Sequence, residues 1–154
     1  MARLQRIARA ALIAALYVVL VYVFQFMSFG PIQFRIAEAL TLLPMIYPEA
    51  VGGVYVGVLL SNLLGGLGPW DIFGGSFVSL LAAIVTYKFR DSWIAYASPI
   101  VFNAFLISLY LRFVFQVPSY WYLVFTIGIG EAAVIILVGR PLIKYLKERQ
   151  GRFL

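Results

Sequence analysis

The sequence predicts an all-α, polytopic membrane protein with six transmembrane helices in a single integral membrane domain spanning residues 1–154. Three observations carry this expectation. Hydrophobic residues make up 64% of the chain and charged residues only 12%, whereas soluble domains are about a quarter charged. Apolar runs of roughly 15 to 20 residues recur along the whole chain, close to the length that crosses a hydrocarbon core about 30 Å thick. These runs are continuous and not alternating, which favours helices over a closed barrel, the other architecture that satisfies every backbone group in lipid.

Prolines, glycines and charges set the limits of each element. The first helix is expected over residues 4–27. Its basic start at Arg3, Arg6 and Arg9 and the small residues near Ser28 loosely suggest a cleaved leader. The apolar stretch from residue 10 to residue 26 exceeds the 7 to 15 residues of a signal core, so it reads as a retained helix. The second helix, residues 33–47, is short, about 22 Å long at 1.5 Å per residue, and is broken at Pro44 and Pro48. The third begins near Pro48-Glu49 and ends at Gly65-Gly66. The fourth, fifth and sixth fall at residues 71–89, 93–115 and 119–138, and a basic tail follows Gly139-Arg-Pro141. No linker, low-complexity tract or internal repeat interrupts this pattern, which weakens the case for an inverted-repeat transporter. Ten of the twelve lysines and arginines then lie on one side, with Arg35 and Arg112 on the other. The positive-inside rule puts both termini in the cytoplasm of a multi-pass cell-membrane protein.

Several chemistries are excluded at once. The chain has no cysteine or histidine, so thiol chemistry, disulfides, Cys/His metal sites and histidine acid–base work are absent. The net charge of +6 follows the membrane topology and is no nucleic-acid footprint. There is no phosphate-binding G-x-x-x-x-G-K-[ST] loop, so the chain does not itself use ATP through one. No nucleophile–base pair or metal set stands out. An enzyme is not expected, and no cofactor is implied.

Ionisable groups within a membrane segment are costly and mark function. Arg35 and Glu38 enter the second helix from its outer end, with Glu38 roughly 8 Å down. Asn62 reaches a similar level on the third helix, and Trp70 and Asp71 sit at the outer start of the fourth. Asn103 on the fifth and Glu131 on the sixth both fall near the midplane. Together these groups outline an outward-opening funnel with a polar floor. Each has a plainer explanation. Arg35 and Glu38 can pair across one turn. Asp71 after Pro69 is a good N-cap, and Asn62 and Asn103 can join helices. Glu49, directly after Pro48, suits a helix dipole. Glu131 resists such a reading, because no cation lies near its depth. It must be protonated, hydrogen-bonded or matched by a donor-rich or cationic ligand.

Small residues make a second pattern. Ala10, Ala11, Ala14 and Ala15 form two overlapping Ala-x-x-x-Ala pairs in the first helix, and Gly53/Gly57 and Gly75/Ser79 repeat the spacing. Such pairs let helices approach closely, within the fold or toward a partner. Trp70, Trp93 and the aromatic run at Tyr120 fall at expected interfaces with membrane lipid.

The stretch "FGPIQFRIAEALTLLPMIYPEA", followed by "GVLLSNLLGGLGPWDIFGGS" and the late "GIGE", resembles the QueT family. The likeness covers nearly the whole chain and is most specific from Phe34-Arg through Glu38 to Pro44. That family comprises substrate-binding (S) components of energy-coupling-factor (ECF) transporters, associated with uptake of queuosine precursors such as queuine and deazaguanine bases. The resemblance implies a six-helix S component with an external pocket. It also implies docking of the first helix's Ala10, Ala11, Ala14 and Ala15 face on a transmembrane coupling subunit carried by two ATPase subunits. The small-molecule substrate would then be read by groups of matching chemistry. A carboxylate can accept both the ring N–H and the exocyclic amine of a deazaguanine, a role suited to Glu131. Glu38 or Asp71 would meet an aminomethyl cation, Asn62 and Asn103 would bond around the ring, and Phe34 and Trp70 would offer stacking faces. Arg35 and Glu38 would stand at the mouth of a gate. The rival expectation is a small proton-coupled secondary transporter of a micronutrient, with Glu131 or Glu38 carrying the proton.

Overall fold

The computed structural model describes residues 2–28, 34–66 and 68–151. The expected start of the second helix at residue 33, the turn before it and Arg152 lie outside the described residues. Among the described residues there are six helical segments and no strand. The first helix is Ala2–Val23, with a short continuation Gln25–Ser28. The second segment is Ile36–Met45 and the third Ala50–Leu64. The fourth, fifth and sixth run through Trp70–Lys88, Ile94–Val114 and Tyr120–Gln150. The first, fourth, fifth and sixth are long and apolar enough to cross a membrane. The protein is an all-α membrane protein.

Glycine spacing sets the closest helix pair. On the third helix, a Cβ added at Gly53 would stand 2.7 Å from the Ala10 carbonyl oxygen and 3.1 Å from Ile13 Cβ. One at Gly57 would stand 2.7 Å from Tyr17 Cβ and 3.2 Å from Ala14 Cα. The backbones of the first and third helices therefore meet with only hydrogens between them on the glycine side, as small-x-x-x-small spacing permits. At the other end of this seam Arg9 pairs with Glu49 at 2.5 Å and its guanidinium lies 4.4 Å from the centroid of the Tyr47 ring. Glu49 does occupy the N-cap position of the third helix, but its side chain makes no capping bond. Gly66, at φ 65°, ends that helix in the left-handed conformation that glycine adopts without strain.

The second segment differs from the expected α-helix. It is a ten-residue 3-10 helix with Pro44 inside it, and every residue from Ala37 to Met45 is buried. In an α-helix the Pro44 ring would clash with the carbonyl one turn back, and the residue before a proline is pushed away from α geometry. The Thr41 hydroxyl adds a local bond to the Glu38 carbonyl at 2.6 Å. Runs of 3-10 helix longer than three or four residues are uncommon. This one persists because it packs against all five other helices, with Leu42 and Leu43 in the common apolar core.

Two further prolines sit inside helices, each in surroundings that tolerate it. Pro99 cannot donate to the Ala95 carbonyl four residues back. That carbonyl instead accepts from the Thr86 hydroxyl of the fourth helix at 3.1 Å and from Ser98 at 3.3 Å. The two hydroxyls also bond each other at 2.7 Å. Pro141 follows a π-helical stretch, Ile135–Gly139, whose wider turns relieve the steric demand of the proline ring. The sixth helix was expected to end at residue 138, with a tail beyond it. It continues instead as the helix Arg140–Gly151, because Ile143 is fully buried and Leu142 and Leu146 pack against the core. The remaining π stretches, Trp70–Gly75 at the start of the fourth helix and Asn103–Ile107 in the middle of the fifth, fall where the polar residues of those helices lie.

Thr86→Val removes the donor to the Ala95 carbonyl while keeping the side chain's shape. The expected loss of unfolding free energy in detergent is about 1 kcal/mol, and no more than about 2, the range for a single interhelical hydrogen bond in a membrane protein. Denaturant titration against wild type checks it, and an unchanged midpoint would mean that Ser98 alone satisfies that carbonyl.

Candidate functional site

The polar residues expected to form a funnel come together from five segments around one cavity. Arg35 precedes the first turn of the second segment in extended geometry, and Glu38 lies within that turn. Asn62 is near the end of the third helix. Asp71 and Gly75 lie on the opening π stretch of the fourth, and Asn103 opens the π stretch of the fifth. Glu131 comes from the sixth. Arg35, Glu38, Asn62, Asp71, Asn103 and Glu131 all line this cavity, with Gly75, Ser79 and Tyr110 beside them. Its volume is about 20 Å³, room for a water molecule and far below the several hundred Å³ of a small-molecule pocket.

Spacing explains how the long helices contribute. Asn103, Ile107 and Tyr110 follow each other at i, i+4 and i+7, and Ile127 and Glu131 at i and i+4, so each set shares one helical face. The π turns rotate Asp71 and Asn103 relative to the rest of their helices, a local change that often accompanies function. Gly75 keeps the fourth helix close: a Cβ there would lie 3.2 Å from Asn62 Nδ2 and 3.6 Å from the Tyr110 hydroxyl.

The hydrogen bonds form two groups. In the deeper one the Tyr17 hydroxyl, fully buried on the first helix, donates to Glu38 Oε1 at 2.5 Å. The Asn103 amide neighbours both Glu38 and Glu131, and Arg35 acts electrostatically on Tyr17, Glu38 and Glu131. In the shallower group Asn62 Nδ2 donates to the Asp71 carbonyl at 2.8 Å, and the Tyr110 hydroxyl donates to Asp71 Oδ1. Asp71 therefore lies inside the helix, bonded through its backbone and its side chain, and makes no cap, since Pro69 holds the N-cap position. The deeper group leaves acceptors over. Glu38 and Glu131 are 2% and 5% exposed, and among the described residues Oε2 of each is buried with no hydrogen-bond partner, as is Asn62 Oδ1. A site of this kind is matched by a ligand rich in N–H donors or carrying a positive charge.

Not every expected residue faces the cavity. Phe34 is half-buried and does not line it. Trp70 is 65% exposed and borders an outer groove with Leu109 and Phe113. The four alanines of the first helix divide between two faces. Ala14 is buried against Gly57 and Ala10 half-buried against Gly53, while Ala11 and Ala15 are exposed on the outer side. Two contributors, Tyr17 and Tyr110, were not singled out from the sequence. Their signal was depth, since a tyrosine far from the interface needs a partner for its hydroxyl. Among the described residues no group of three acidic side chains is placed to hold a metal ion.

A family model described as the QueT transporter matches residues 7–148. No curated protein and no solved structure matches the chain.

The Tyr17–Glu38 bond is open to direct measurement. Tyr17→Phe leaves Glu38 Oε1 without its hydroxyl donor and is expected to lower stability by about 1–3 kcal/mol. In a double-mutant cycle with Glu38→Gln the two changes should be non-additive by about 1 kcal/mol or more. Additive effects would mean that the contact contributes nothing specific.

Proposed function

The chain belongs to the QueT transporter family, and from that membership we propose that it is the substrate-binding (S) component of an energy-coupling-factor importer for a queuosine precursor. In this reading it is a single integral membrane domain of the cell membrane, multi-pass, with both termini cytoplasmic. The asymmetry of its lysines and arginines supports that orientation. A coupling subunit and two ATPase subunits supply the energy.

The observation that carries the substrate assignment is the pair of buried, unpartnered carboxylate oxygens of Glu38 and Glu131 on one cavity. Asp71 is a third carboxylate in the lining, against the single guanidinium of Arg35. A queuine or 7-deazaguanine base offers what this set lacks. Its ring N–H and exocyclic amine present two parallel donors to one carboxylate, Glu131, and an aminomethyl cation would meet Glu38 or Asp71. Asn103 and Asn62 bond around the ring. A bicyclic base exceeds the cavity's volume of about 20 Å³, so binding requires the outer ends of the segments to part. The second segment suits that motion, since its 3-10 bonds are weaker than those of an α-helix. Phe34 and Trp70 would stack on the base only after such a movement, whereas Tyr110 already borders the cavity.

A second reading, a proton-coupled carrier, draws on the same neighbouring carboxyls, since such pairs can hold and release a proton. Uptake by the chain alone in a proton gradient would favour it. Uptake only with the coupling subunit and ATPases favours the importer.

Glu131→Gln replaces one acceptor oxygen with a donor that faces the ligand's own donor. Losing a buried charge-assisted pair costs about 2–5 kcal/mol, so affinity for a deazaguanine-type ligand should fall roughly 30-fold to a few thousand-fold. Folding survives, because removing an intramembrane charge lowers the desolvation cost. Titration of the monodisperse variant checks this, and a loss under about fivefold would remove Glu131 from the role.

The partner surface has its own test. Ala11 and Ala15 are exposed, and close helix approach requires small side chains there. Ala11→Trp and Ala15→Trp should spare ligand binding by the isolated chain while abolishing co-purification with the coupling subunit and ATP-dependent uptake. Intact assembly in both variants would move the docking face elsewhere.

A further inference from the structure

A second concavity lies at the opposite end of the fold from the Arg35 mouth. It is an open groove of about 680 Å³ between the fifth and sixth helices and the turn that precedes the fifth. Its rim is cationic: Arg90 comes from the turn, and Arg140 and Lys147 from the sixth helix, two turns apart and so on one helical face. Its floor is apolar, formed by Met45, Ile100 and Ile135 with Ile136 beside them. All three cations are exposed.

Charge balance at the rim points to an anionic visitor. Arg90 has a loose ion pair with Asp91 at 3.8 Å, with that carboxylate 90% exposed, and its guanidinium lies 5.6 Å from the centroid of the Tyr87 ring. Among the described residues no carboxylate pairs with Arg140 or Lys147. Three cations against one solvated carboxylate leave a net positive mouth above an apolar trough. The apolar part continues onto an exposed surface, with Ile136 55%, Leu137 68% and Val101 49% exposed. Trp93, 75% exposed, stands at the rim, the depth at which tryptophan anchors to a membrane interface. The surface is thus amphipathic in the same sense as a phospholipid, charge at the end and hydrocarbon below it.

We infer that this groove binds an anionic phospholipid, its phosphate held by Arg90, Arg140 and Lys147 and an acyl chain lying over Ile100 and Ile136. Basic clusters at helix ends attract anionic headgroups, and arginine adds directional phosphate bonds. An acidic protein segment would satisfy the rim but not the apolar floor that runs on into the lipid-facing surface.

The test uses the full chain in detergent, titrated with equal amounts of phosphatidylglycerol and phosphatidylcholine and read by native mass spectrometry. Wild type should retain phosphatidylglycerol about fivefold or more over phosphatidylcholine. R90Q/R140Q/K147Q should bring that ratio close to one with its unfolding temperature kept. Each single glutamine variant should lower it partially, so the singles decide the matter if the triple variant folds poorly. Location is read separately by quenching of Trp93 in a W70F/W121F chain. Brominated phosphatidylglycerol should quench it more strongly than brominated phosphatidylcholine. Equal retention of both lipids by wild type, which is what an acidic protein occupant predicts, overturns the inference. So does a preference that survives all the glutamine variants, or equal quenching by the two brominated lipids.

Discussion

Ten residues wound as an α-helix would rise only about 15 Å, half of a hydrocarbon core about 30 Å thick. The second segment, Ile36–Met45, has that length and carries a proline. As a 3-10 helix it rises about 20 Å, which carries Glu38 at its outer end and Met45 at its inner end without lengthening the chain. Weaker backbone bonds are the cost of this winding, and surrounding it on every side offsets them. Five helices enclose this segment, and the residues they present to it form the apolar core. The site inherits its position from this arrangement, since Arg35 and Glu38 stand where the central segment meets the ends of the third and fourth helices.

A membrane interior penalises both unpaired charge and unpaired backbone, and the fold meets the two demands differently. Backbone groups freed by Pro99 are satisfied within the structure by Thr86 and Ser98. Carboxylate oxygens at the site are satisfied only halfway: Tyr17 serves one oxygen of Glu38, and the other has no donor among the described residues. The contrast is between a backbone gap filled from within the fold and acceptors left open on the cavity. An acceptor left open beside a cavity is where a ligand's donors gain most.

Much of this was legible in the sequence because membranes impose simple rules. Apolar run length gave six segments, and depth counted from their ends set Asp71 at the outer end, Glu38 and Asn62 below it, and Asn103 and Glu131 near the midplane. What stayed hidden depends on rotation about helix axes. A π turn adds a residue to one turn and swings everything beyond it, so the direction of Trp70, which opens such a turn and faces outward, does not follow from counting. The 3-10 winding was foreshadowed by Pro44 but not determined by it, because a proline equally allows a kink. The sixth helix ran past its expected end because burial of Ile143 outweighs local composition, a tertiary effect that charge patterning in residues 140–151 conceals.

The seam between the first and third helices has a mechanical meaning. Gly53 and Gly57 meet Ala10, Ala14 and the base of Tyr17 with no flexible side chain between them. Most helix contacts absorb a small push by changing rotamers, but alanine and glycine have none to change. Along Ala10 and Ala14 the first helix therefore presents no soft layer to the third. Tyr17, seated in the same seam, joins this contact to the site through its hydroxyl bond to Glu38. The first helix is thus held close to the third along one stripe, while the Arg9–Glu49 pair and the Tyr17–Glu38 bond fix its position along its own axis.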